Sequence, residues 1–274
     1  MRNIIKYEIE FTTSIFFLLL EILFFVILLS SINIVVLYVI LSTIFFILFI
    51  IDSIKRFRKY IRQIDAEEAK KINKNIYLFN QIILPIATYI GTISFILLNT
   101  LDLLTIQFFI VLSTILFYIL IKHIEVYLET FEFDERTHYI INGVKVYIFF
   151  LLSYSILQIS SIINLSTLLV PVFIFSISLS LLLLLIQRNK QFLNGTIWYA
   201  ISISLVIGVS VFLMDTFVNN AIITAFTITS LFYFFEAILH HKLENKLSNE
   251  LIIEYILFLV IIFLIIKGLF GIYV

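Results

Sequence analysis

A chain of 274 residues that is 62% hydrophobic and 13% charged is not a water-soluble globule, because soluble domains are about half apolar and about a quarter charged. Its formal charge is zero overall but unevenly placed, and the absence of cysteine excludes disulfides, cysteine metal sites and thiol catalysis. A hydrocarbon core about 30 Å thick needs about 20 apolar residues per helix, so the composition predicts an all-α, polytopic integral membrane bundle of about nine spans, or eight if the first or last packs obliquely, with no separate soluble domain.

The first apolar run, 12–29, follows Glu10, is long enough to cross, and has no small-residue cleavage site behind it. It reads as an uncleaved first helix. A short turn at 30–33 leads to span 2 at 34–51. Residues 52–80 then carry eight Lys and Arg side chains against four acidic ones. Here Ile54, Phe57, Ile61 and Ile64 recur at helical spacing, and Lys55, Arg56, Arg58, Lys59 and Arg62 fill the other faces. The pattern predicts a basic interfacial helix continuing from span 2, and a second helix starting near Asp65, where Glu68 completes a capping box. Such a hairpin would face anionic lipid headgroups, each basic residue adding about 1 kcal/mol of attraction.

Span 3 is expected at 81–98 with Pro85 near its start, and span 4 at 103–121, continuing as helix past Glu125. Glu125, Glu129 and Glu132 form an acidic stripe at i, i+4 and i+7, so the segment 122–139 opposes the basic hairpin in sign. The two could dock, although exposed ion pairs are worth only about 0 to 1 kcal/mol each. Span 5 is placed at 140–159, beside Asn142, Gly143 and Lys145, span 6 at 165–186 with Pro171 in its first turns, and span 7 at 196–214 with Trp198 and Tyr199 at headgroup level. Spans 8 and 9 follow at 219–238 and 251–270.

With the N-terminus inside, 17 of the 18 Lys and Arg residues fall on the inner side and only Lys267 falls outside. That bias predicts a cytoplasmic N-terminus and an external C-terminus, in the cytoplasmic membrane of a bacterium-like cell.

Two sets of polar residues stand out. Glu21 lies near the middle of span 1, a depth at which an ionisable group is a functional candidate by default. No cation shares its depth, so the sequence predicts a protonated carboxyl that donates a hydrogen bond to Gln107 or Ser113 on span 4. The second set gathers at the inner ends of spans 8 and 9. Glu236 and His240 are four apart, His241 is adjacent, and Glu250 and Glu254 begin the next helix. With Glu125, Glu129, His123 and His138 they put every histidine on one membrane side. Glu236, His240, His241 and Glu254 are therefore the candidate acids, bases or ligands, and His240 and His241 the candidate metal ligands. The pattern is weak, because no H-E-x-x-H or bundle-type Glu-x-x-His pair occurs, and neither metal nor cofactor is expected.

The sequence also lacks a Walker A motif, a dinucleotide glycine pattern and a G-x-S-x-G. Six Gly, two Pro and no G-x-x-x-G argue against the broken helices of transporters, and assign packing to Leu, Ile and Phe. The leading expectation is a non-catalytic accessory or scaffolding component that binds lipid and a membrane or cytoplasmic protein partner through its inner loops, with no nucleic acid involved. An intramembrane enzyme acting on a lipid-linked substrate is the alternative, and a proton-coupled transporter centred on Glu21 comes third.

Overall fold

A computed structural model describes residues 2–61, 82–98, 103–130, 135–163, 168–188, 194–217 and 220–270. Among them are nine helices and no strand: α1 (Arg2–Leu29), α2 (Ile32–Ile61), α3 (Leu84–Leu98), α4 (Leu103–Thr130), α5 (Glu135–Ile163), α6 (Leu169–Arg188), α7 (Asn194–Phe217), α8 (Ala221–Leu243) and α9 (Asn249–Phe270). Counted over the described residues, seven of them, α1, α2 and α4 to α8, are long and apolar enough to cross a membrane. The protein is a polytopic membrane helical bundle. Its apolar residues are left uncovered on a scale that water would not tolerate, with Leu29 82%, Leu104 78% and Ile32 77% exposed.

The described helices overlap the apolar stretches read as spans, with shifted ends. In the stretch read as span 3, α3 begins at Leu84. Residues 82 and 83 form a wide π-type turn before it, next to Pro85, whose ring removes a backbone donor. Of the basic hairpin, α2 carries the helix on to Ile61; Arg62 and the segment 62–81 lie outside the described residues.

The chain divides into two compact units, Met1–Ile148 and Phe149–Val274. In the first, Phe16, Leu20 and Leu23 of α1 fall at i, i+4 and i+7 and turn one face inward. Phe46 and Ile50 of α2, Tyr89, Ile93 and Ile96 of α3, and Ile106, Ile110 and Phe117 of α4 meet that face. At its centre Phe16 stacks on Phe117 at 4.1 Å and Phe46 on Tyr89 at 4.1 Å, with edge contacts between the two pairs at 5.9 Å. Offset and edge geometries of this kind add about 0.5 to 1.5 kcal/mol beyond area burial.

A hydroxyl chain crosses the same unit. Tyr147 Oη and Ser113 Oγ are 2.6 Å apart, Ser113 and Thr92 hydroxyls 3.1 Å, and Thr92 lies 2.7 Å from the Thr88 carbonyl. Each hydroxyl has one proton, so the assignment that satisfies all three runs from Tyr147 to Ser113 to Thr92 to the carbonyl. It ties α5, α4 and α3 together where no water competes.

In the second unit, Ala200, Ser204 and Gly208 of α7 are buried at i, i+4 and i+8. A Cβ at Gly208 would sit 3.1 Å from the Pro171 carbonyl oxygen and 3.4 Å from Phe175 Cβ, so α6 and α7 approach closely along a small-residue stripe. Packing here is not left to Leu, Ile and Phe alone, as the missing G-x-x-x-G had suggested. Elsewhere Phe149 stacks on Phe232 at 4.3 Å and Phe150 meets Phe226 at 4.6 Å.

Helix α8 is closed at both ends. Asn220 Oδ1 accepts from the Ile222 and Ile223 amides at 3.0 and 3.4 Å, an N-cap. At the other end Asn245 takes a left-handed φ of 56°. The Lys246 amide reaches the His241 carbonyl and the Asn245 amide the Lys242 carbonyl, which is the Schellman pattern with Asn in the place usually held by Gly. Ser248 Oγ then accepts from the Leu251 amide at 3.2 Å and caps α9.

Candidate functional site: a carboxyl-bearing groove and a polar helix end

The groove belongs to the first unit. Glu10, Thr13, Ser14, Phe17, Leu18 and Glu21 recur along α1 at i, i+3, i+4, i+7, i+8 and i+11, so they share a face beside the one that enters the core. Thr114 and Tyr118 of α4 form the other wall of an open groove of about 570 Å³, within the size range of small-molecule sites. Phe17 and Leu18 remain 38% and 56% exposed along it. Glu10 and Glu21 are three turns apart, about 16 Å.

Glu21 is half-buried and accepts a short hydrogen bond at Oε1 from Gln107 Nε2 of α4. Of the two partners named from the sequence, Gln107 is the one found, while Ser113 bonds Thr92 and Tyr147 instead. The donor in this pair is the amide rather than the carboxyl. Thr13, Ser14 and Thr114 each give their proton to the backbone carbonyl four residues earlier, at 2.8 to 2.9 Å. Lys122, one turn beyond Tyr118, holds its ammonium 5.7 Å from the centre of that ring, in cation–π range.

The polar helix end belongs to the second unit. Glu236 and His240 are buried on one face of α8, His241 is half-buried, and Glu254 on α9 is exposed. His240 Nδ1 lies 3.5 Å from Glu244, which also meets Lys246 at 3.2 Å. His241 Nε2 lies 3.1 Å from Tyr255 Oη, bridging α8 and α9 across the capped turn. Lys242 places its ammonium 3.7 Å from the Tyr199 ring centre on α7. Two of the partners found, Glu244 and Tyr255, were not among the candidates. Glu244 was readable as i+4 from His240; Tyr255 carried no signal beside Glu254. Among the described residues, no three His, Asp or Glu side chains group closely enough to hold a metal ion.

Two further results bear on the sequence reading. Lys145, counted there with the inner-loop cations, lies inside α5 within the apolar run Ile140–Ile163 and is buried, with Nζ 3.4 Å from Asn142 Oδ1. Its position five residues into that run was the available sign. The basic set Lys55, Arg56, Arg58 and Lys59 is on the helical continuation of α2, where Lys55 is exposed. The side chains of Arg56, Arg58 and Lys59 lie outside the described residues, as do those of His123, Glu125, Glu129 and His138 and the whole of Glu132, so docking of the acidic segment on the basic hairpin falls outside them too.

No curated protein and no solved structure matches the chain. Residues 21–268 match the profile of a family described as protein of unknown function (DUF5656), and the chain belongs to that family.

Proposed function

We propose that the protein is a non-catalytic accessory or scaffolding component of a bacterial-type cytoplasmic membrane, engaging anionic lipid and a protein partner through its inner face. The observation that carries this reading is that two helices of the first unit continue past the ends of their apolar runs. Helix α2 runs on from Asp52 to Ile61, and α4 from Lys122 to Thr130, each unbroken. At 1.5 Å per residue these extensions reach about 12 to 13 Å beyond the apolar runs. Their sequences are opposite in sign, Lys55, Arg56, Arg58 and Lys59 on one and Glu125 and Glu129 on the other. A continuous helix fixes the direction of a charged surface relative to the bilayer in a way a loop does not, which suits lipid attraction and oriented partner binding.

The polar end of α8 supports the non-catalytic side of the reading. Its His241 and Lys242 side chains meet neighbouring helices, at Tyr255 on α9 and Tyr199 on α7.

Quantitative mass spectrometry of material co-purified from native membranes in mild detergent tests the proposal. A stoichiometric protein partner, lost when Lys55, Arg56, Arg58 and Lys59 are changed to Glu while membrane abundance is kept, is the expected result. Purification without a partner, and without dependence on those charges, would refute it.

A further inference from the structure

We infer that the groove between α1 and α4 is a binding site for a small lipophilic cation, an organic ammonium or phosphonium with an apolar or aromatic body, entering sideways from the bilayer. This is independent of the scaffolding role. Glu10 and Glu21 provide carboxyl oxygens at the two ends of the groove, Phe17 and Tyr118 provide aromatic rings, and Leu18 provides apolar surface. The protons of Thr13, Ser14 and Thr114 are committed to their own helix backbones, so these hydroxyls have only acceptor lone pairs left to give. Acceptors and π faces together select a positively charged ligand.

Size and access narrow the class. A volume of about 570 Å³ matches a drug-sized molecule. The exposed Phe17 and Leu18 leave the side toward lipid open, so the ligand must be soluble in hydrocarbon and bring its own apolar mass. A phospholipid amine is disfavoured, because its phosphate would be carried to the mouth beside Glu10. The wall already holds a cation in this structure, the Lys122 ammonium over the Tyr118 ring. At the deep end, Gln107 holds Glu21 in place from the far helix, so the carboxyl is oriented before a ligand arrives.

The test is equilibrium binding of tetraphenylphosphonium to the purified full-length protein in lipid nanodiscs, read by calorimetry. Saturable binding near one per chain is expected. It should weaken at least tenfold in Glu21→Gln, several-fold in Tyr118→Leu, and not at all in Lys122→Met, which frees the ring. Because Glu21→Gln could act through folding, Thr114→Trp serves as the second variant. It fills the groove and leaves the Glu21–Gln107 pair in place, and it should abolish binding while the size-exclusion profile and helical circular dichroism stay native. Absent saturable binding in the wild type, or binding unchanged in both Glu21→Gln and Thr114→Trp, overturns the site. So does a co-purified phospholipid or partner helix that Thr114→Trp displaces and tetraphenylphosphonium does not.

Discussion

The Gln107 amide on α4 donates to Glu21 Oε1 on α1, joining residues 86 positions apart in an apolar surrounding. The pair explains how a carboxyl is tolerated in the middle of a span. It also separates two roles for Glu21, one in holding α1 to α4 and one in meeting whatever enters the groove.

The structural role makes a prediction about stability. Glu21→Gln keeps a side chain that can bond Gln107 and should shift the unfolding free energy by less than about 0.5 kcal/mol. Gln107→Leu removes the donor and leaves the carboxyl facing hydrocarbon, at a cost of about 1 to 2 kcal/mol. Changing both residues to Leu should recover most of that loss, since no polar group is then left unpaired. Reversible unfolding in detergent, followed by circular dichroism, measures all three; a double variant no more stable than Gln107→Leu alone would deny the coupling.

Phe16 and Phe17 are neighbours in sequence and opposites in environment. Phe16 is fully buried between Phe117, Phe46 and Tyr89, whereas Phe17 is on the open groove. Phe16→Ala should therefore cost about 3 to 5 kcal/mol through the lost contacts and the cavity left behind. Phe17→Ala should cost less than about 1 kcal/mol, because lipid can refill its place. The same unfolding measurement distinguishes them, and equal losses would contradict the assigned faces.

That contrast also marks how far the sequence could be read. Long apolar runs between polar turns fixed the helical membrane class, and the isolated polar groups at Glu21 and Gln107 could be matched because each was unusual in its span. The buried face could not be chosen, since a helix that is apolar all round has no amphipathic stripe to point inward. Phe16 and Phe17 are chemically the same signal. The close approach of α6 and α7 was present in the sequence as Ala200, Ser204 and Gly208, one turn apart, but a search for paired glycines passes over it. His241 meets Tyr255 rather than Glu254 because the capped turn around Asn245 sets the rotation of α9 against α8, and a single-residue rotation of that kind leaves no mark on hydropathy.

Gly208 tests the α6–α7 contact. Its missing side chain faces the Pro171 carbonyl at a distance tighter than ordinary van der Waals contact. Gly208→Leu should force the helices apart and cost about 1 to 3 kcal/mol, while Val209→Leu, on the exposed side of the same helix, should be nearly neutral. Similar losses at both positions would mean that α7 does not pack against α6 through this stripe.

The most direct test of the account is the side of the membrane on which the extensions of α2 and α4 lie, and the absence of native cysteine makes it clean. Lys59→Cys and Glu129→Cys, made separately, are treated with a membrane-impermeant maleimide in right-side-out and inverted vesicles. The account predicts that both react from the cytoplasmic face and that neither reacts from outside. Labelling of either position from the outer face, in protein of normal abundance, would contradict a shared inner surface and the scaffolding role built on it.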